Sequence, residues 1–314
     1  MGAAQTSDGR ALSRLWRKAP PDVYRSRSRR ARFGGIDRVI PDCARPLRAY
    51  VRPRLSNPII MFLLKPAAAI VALAVIASSQ PAPRKLRIAV AADLQFAMAD
   101  LARDFRTAHP DVEVENVVGA SGNFYAEIVN GAPFDLFLSA DADYPRRLVQ
   151  DKLAVSDSVF VYGTGHLVVW VPKGSPLDLP RLEMRALEAP SVKHIAIANP
   201  QHAPYGRAAE AALRSAGIYD QVAPKLVRGE NIAQAFQFVE SGSAEIGIIA
   251  LSLALAPNAR EQGRYWEVPD KLYSKLEQSG VILVHANNPQ DARVFRSFLM
   301  TVAVRRTLAR YGFF

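Results

Sequence analysis

From residue 86 onward, short apolar runs alternate with stretches in which apolar residues recur every three or four positions. Residues 86–92 (Leu-Arg-Ile-Ala-Val-Ala-Ala) read as a buried strand that ends in small residues. Leu94, Ala97, Met98, Leu101 and Phe105 then fall at helical spacing, and Pro110 closes the unit. Asp93 stands where such a helix takes its N-cap. Residues 112–118 read as a second strand, Phe124 and Ile128 as one face of a short helix, 134–139 as a third strand and 143–151 as a short helix with Arg146 and Arg147 outward. This βαβαβα order predicts a parallel sheet with helices on both faces.

Residues 158–171 hold an apolar run too long for one strand, read as the chain crossing from one lobe to another. A Pro- and Gly-containing loop follows at 172–180. The pattern then starts again: a strand at 194–198, a turn at 199–206, an Ala-rich helix at 205–217 and a short strand at 225–227. Asn231 reads as the N-cap of a helix whose core stripe is Ile232, Ala235, Phe236 and Val239. A strand at 245–250 comes next, and residues 265–268 read as the crossing back. A strand at 280–285 and one last amphipathic helix carrying Phe295, Phe298, Leu299 and Val302 complete the chain, with Gly312 as its stop.

The predicted fold is α/β and two-lobed, each lobe a mostly parallel sheet flanked by helices. Lobe I takes residues 84–165 and 270–314, and lobe II takes 166–269. Ligands of open α/β sheets lie beyond the carboxyl ends of the strands. Four strand-to-helix turns, at Asp93, Ser121, Tyr205 and Ile232, therefore face a common cleft. Such turns leave backbone N–H groups unpaired, and the helix dipole adds partial positive charge there. They bind an anion without any basic side chain.

Charge divides the chain sharply. Residues 1–79 hold 15 of the 40 Lys and Arg and 4 of the 29 Asp and Glu, whereas residues 80–314 hold 25 of each and are neutral. The net charge of +11 thus belongs to the first quarter and argues for no nucleic-acid partner of the folded part. Within that quarter, Met61, Lys65 and the apolar run 67–77, followed by Ser78 and Ser79, have the layout of an export signal. Residues 61–79 are read as a signal peptide cut before Gln80, and residues 1–60 as an over-extended start or a disordered segment. The expected mature chain is periplasmic, and the signal region carries no cysteine for lipid attachment.

The candidate chemistry is that of binding, with no enzyme expected. His109, His166, His194, His202 and His285 show no paired metal-ligand spacing, and no metal site or cofactor is expected. Ser121 and Ser139 lack a nucleophile elbow, and the Gly-rich turns match no nucleotide loop. Asp135, Asp141 and Asp143 are read as capping and strand-end residues, with His202 and Arg207 as further cleft candidates.

An ordered set of short motifs carries a resemblance over residues 86–314. The set is Val90-Ala-Ala-Asp-Leu94, Ala120-Ser-Gly-Asn123, Gly131-Ala-Pro-Phe-Asp-Leu-Phe-Leu-Ser-Ala-Asp141, Ala196-Ile-Ala-Asn-Pro200, Ala203-Pro-Tyr-Gly-Arg207, Lys225-Leu-Val-Arg-Gly-Glu-Asn-Ile232, Val239-Glu-Ser-Gly242 and Arg310-Tyr-Gly-Phe313. Together they resemble the periplasmic molybdate-binding proteins of ABC importers, a type II binding-protein family. The resemblance implies a monomer that holds molybdate or tungstate between two lobes and delivers it to an inner-membrane ABC permease. Carried over by position, the family's ligand contacts fall at Asp93, Ser121, Tyr205 and Ile232, the last two through main-chain N–H groups.

Two positions depart from the family's pattern: Asp93 stands where it has a serine, and Ala250 where it has a tyrosine. A carboxylate about 4 Å from a dianion is repelled by roughly 4 kcal/mol per unit of charge at an effective dielectric near 20. Either Asp93 turns away to cap its helix, or it is protonated, or the ligand is another oxyanion or polar solute. The cap is the reading preferred from sequence. A ligand-sensing regulatory domain would need a helix-turn-helix before residue 84, and the Arg- and Pro-rich segment shows none.

Overall fold

Ten strands form two five-stranded sheets in the computed structural model, which describes residues 82–314. The segments expected as leader and over-extended start lie outside the described residues. The first sheet holds β1 (Arg84–Ala91), β2 (Val112–Gly119), β3 (Leu136–Ser139), β4 (Phe160–Gly165) and β10 (Leu276–Ile282), in the order β2-β1-β3-β10-β4. The second holds β5 (Leu167–Pro172), β6 (Ile195–Ala198), β7 (Leu226–Gly229), β8 (Ile246–Ala250) and β9 (Gly263–Glu267), in the order β7-β6-β8-β5-β9. The helices that matter for the site are α1 (Gln95–Ala108), α2 (Ser121–Val129), α3 (Asp143–Gln150), α4 (Pro204–Ser215), α5 (Ile232–Glu240) and α6 (Leu251–Ala254). The chain ends in α7 (Pro289–Leu299) and α8 (Val302–Arg310).

The sheets are mostly parallel, as expected, and each holds one strand of opposite direction. β1 runs parallel to β2 and β3, but β10 is antiparallel to β3 and β4. Likewise β6 is parallel to β7 and β8, whereas β5 is antiparallel to β8 and β9. The cause is the pair of crossings. β5 and β10 each follow a segment that arrives from the other sheet. They start at the cleft and run away from it, opposite to strands that end there. The apolar run 158–171 is accordingly two strands, broken at His166 between Gly165 and Leu167. The return crossing comes later than residues 265–268, because β9 stays in the second sheet beside β5.

Side-chain caps fix the starts of two of these helices. Asn231 caps α5, its Oδ1 accepting from the amides of Ala233 and Gln234 at 3.0 Å each. The single terminal helix expected from sequence is two, because Thr301 restarts the chain and its Oγ1 accepts from Val304 N. Gly312 has a left-handed φ of +75°, as its role as a stop requires.

Each sheet has its own core. Phe105 meets Phe295 edge-on at 4.8 Å under the first, and Trp170 meets Phe236 at 5.1 Å under the second. The alanines at the cleft ends of the first sheet, Ala91, Ala92, Ala120 and Ala140, pack into the second sheet's cluster. Small residues there let the two halves close on each other.

Candidate functional site

The four turns picked out from sequence surround one cavity. Its lining includes Ala92, Asp93, Ser121, Tyr205, Asn231 and Ile232.

Three helix N-termini open on it, and their free donors can be traced. At α2, Gly122 N–H is spent on His202 O across the cleft at 2.8 Å, while Ser121 is the first helical residue. Ser121 Oγ, 1 % exposed, accepts from Ala140 N at 3.0 Å, so its own proton is left to donate into the cavity. At α4, Pro204 has no N–H, and the amides of Gly206 and Arg207 bond to Ala203 O. Tyr205 N–H lies between them. At α5, Asn231 occupies the amides of Ala233 and Gln234, and Ala235 N bonds to Asn231 O. Ile232 N–H is the amide that this cap leaves over. No basic side chain is among the residues lining the cavity.

Asp93 does not cap α1, contrary to the sequence reading. A 3₁₀ turn at Ala92–Leu94 intervenes, the helix starts at Gln95, and no side chain bonds its first amides. The carboxyl is 2 % exposed, and neither oxygen has a hydrogen-bond partner among the described residues.

The other cleft candidates have different roles. Arg207 reaches across the cleft outside the cavity to Asp141 Oδ2 at 2.6 Å and Tyr144 Oη at 3.2 Å. This pair is partly open to water and weak for that reason. His202 contributes its main-chain carbonyl to Gly122. Asp135 accepts from Arg87 N and Asn288 N, and Asp141 from Tyr144 N, so both are structural as expected. Among the described residues, no group of three or more His, Cys, Asp or Glu could hold a metal ion.

A family model described as bacterial extracellular solute-binding protein matches residues 86–314. The chain belongs to that family. Two relatives are similar over most of their length. The molybdate-binding protein ModA of Rhodobacter capsulatus is 37% identical over 62% of this chain and 75% of the relative. The ModA of Azotobacter vinelandii is 36% identical over 73% and 89%. Among solved structures, the periplasmic molybdate-binding protein of Azotobacter vinelandii superposes with a TM-score of 0.68 at 30% identity, covering 73% of this chain and 98% of that one. The sulfate-binding protein SubI of Mycobacterium tuberculosis shares the fold, with a TM-score of 0.62 at 17% identity over 73% and 86%.

In this solute-binding protein the electrostatics of the cleft floor are unusual. Burial pushes the Asp93 carboxyl up to about 7. Tyr205, Gln278 and the amides of Asp93 and Leu94 favour its anion, but none makes a well-formed hydrogen bond to it, and loss of water outweighs them. The Tyr205 hydroxyl is pushed well up, first by burial and then by Asp93. Asp141 is raised by burial against the opposing pull of Tyr144 N–H and Arg207. Ala250, fully buried at the end of β8, offers no hydroxyl. Sequence reasoning missed Tyr162, Ser252 and Gln278, which also meet at this floor. A glutamine inside the run Leu276–Ile282 was the one available signal.

Proposed function

We propose that this protein is the solute-capturing component of an ABC importer for molybdate or tungstate. The observation that carries the reading is a small cavity ringed by main-chain N–H groups from one half and a hydroxyl from the other, without a basic side chain. Such dipoles hold a tetrahedral dianion through its oxygens, in place of the water it sheds. Ser121 Oγ–H, Tyr205 N–H and Ile232 N–H are the donors we assign, with the turn at Asp93 forming the fourth wall. The relatives at 36–37% identity that are named for molybdate binding support the choice of ion. The assignment is supported by the presence of Asp93, Ser121, Tyr205 and Ile232, the four positions carried over from the family pattern, among the residues lining the cavity.

The protein works by binding alone, as a monomer, without cofactor or covalent chemistry. It is exported by a leader at residues 61–79 and acts in the periplasm as residues 80–314. The lobes are 84–165 with 270–314, and 166–269, and the closed form docks on an inner-membrane permease. N-terminal sequencing of the exported protein tests the cleavage before Gln80.

A second ligand class has one observation in its favour: Asp93 and Ala250 stand where the family pattern has hydroxyls. A panel of molybdate, tungstate, sulfate, chromate, thiosulfate and phosphate separates the two by thermal shift. Molybdate or tungstate at a hundredfold excess over Kd is expected to stabilise the protein by about 2.7 kcal/mol. A shift with another oxyanion and with neither of these two selects the second class.

A further inference from the structure

Behind the cavity lies a buried polar cluster that none of the assigned donors uses. Asp93 enters it after β1, Tyr162 from β4, Gln278 from β10 and Tyr205 from α4, so it joins the two halves of the molecule. These residues are 2 %, 7 %, 0 % and 1 % exposed. Both Asp93 oxygens, Tyr205 Oη and Gln278 Nε2 have no hydrogen-bond partner among the described residues. Tyr162 Oη lies 3.3 Å from both Ser139 O and Gln278 Oε1, which leaves the Gln278 amide nitrogen facing the seam. A side chain on Gly165 would collide with Tyr205 Oη and Gln278 Nε2, so these two groups sit together against the bare backbone just before the crossing.

Tyr205, Gln278 and Tyr162 are the groups that face the carboxyl, and none is a cation. From α6, Ser252 Oγ donates to Asp93 O at 2.7 Å rather than to the side chain. Tyr273 lies behind Tyr205, with its hydroxyl on Asp270 and on Leu167 N. His166, the next residue after Gly165, is 3.2 Å from Asp270. No cation in the cluster compensates a negative charge on Asp93, and a dianion in the adjoining cavity would add to its burden.

We propose that Asp93 carries a proton whenever the cleft is closed on its ligand, so that oxyanion capture takes up one proton and release returns it. The inference rests on the oxyanion reading of the cavity. Opening the cleft returns water to the carboxyl and lowers its value towards the ordinary carboxylate range. Closure raises it to about 7, and a bound dianion raises it further. The sign follows from proton binding. A carboxyl raised in the closed form binds more protons there, so closure is favoured as pH falls and opposed as pH rises. Above the open-form value, each unit of pH weakens binding about tenfold until the closed form also loses its proton. The protonated carboxyl gains an O–H that can donate to Tyr205 Oη across the seam, and the tyrosine hydroxyl in turn has a group to meet.

Titration calorimetry of the purified protein with sodium molybdate tests this at pH 5.5, 6.5 and 7.5, in two buffers of different ionisation enthalpy. The expected result is uptake of close to one proton per ion and a Kd that rises about tenfold per pH unit. Asp93→Asn, uncharged at every pH, should bind without proton uptake and with a flat pH profile. Asp93→Ser should do the same, which guards against a folding defect peculiar to one variant. His166→Gln should keep the slope. Binding by the unaltered protein with no proton exchange, or a slope that survives in Asp93→Asn and vanishes in His166→Gln, overturns the proposal alone. Absence of molybdate binding at every pH in the unaltered protein and both Asp93 variants overturns the molybdate reading of the cavity as well.

Discussion

The two halves of the molecule bring different chemistry to one cavity. The first sheet offers side chains: the hydroxyl of Ser121 and the carboxyl of Asp93, both buried at strand ends. The second offers backbone: Tyr205 N–H behind a proline and Ile232 N–H beneath the Asn231 cap. Backbone donors survive any substitution except proline, and they bring the helix dipole with them. Side-chain donors are removable, and one of these two can change its charge. On the proposed oxyanion reading, a cleft built this way fixes its hold on the ion from one half and adjusts it from the other.

Substitutions can break that contrast in a graded way. Ser121→Ala has the largest expected effect on binding. It deletes the hydroxyl donor, whose hydrogen bond to a charged ligand is worth roughly 1.5–3 kcal/mol, and separately costs the fold by leaving Ala140 N–H buried without an acceptor. Affinity for molybdate, read by calorimetry, should fall about 10- to 100-fold. Asn231→Ala should act mainly on the fold. The Ile232 amide stays in the chain, but α5 loses its cap, at a cost of about 1 kcal/mol. Denaturant unfolding should show that loss, with affinity changed only a few-fold. If Asn231→Ala weakened binding more than Ser121→Ala, the division between side-chain and backbone halves would be wrong.

The turns that line the cavity and the main course of the sheets were both legible in the sequence. Ser121 and Ile232 were legible because each follows a strand that stops at small residues and opens a patterned helix. Asn231 was legible as a cap for the same local reason. The mostly parallel sheets were legible too, but the reversed direction of β5 and β10 was not, because it depends on where the chain crosses, which no local pattern encodes. Asp93 shows the limit at a single residue. Aspartate after a strand is a good N-cap, but the 3₁₀ turn at Ala92–Leu94 moves the helix start past it. Its carboxyl then meets Tyr205, Gln278 and Tyr162 from three elements far apart in sequence. Two of those lie on strands, where a single buried polar side chain barely disturbs the apolar pattern.

The central claim is that uncharged dipoles from two facing halves grip a small dianion. Anomalous diffraction from crystals grown with sodium molybdate tests it most directly. The account predicts one strong peak in the cavity, with ligand oxygens about 2.7–3.2 Å from Ser121 Oγ and from the amide nitrogens of Tyr205 and Ile232. A peak instead among Arg146, Arg147 and Arg207 outside the cleft, with the cavity empty, would contradict it.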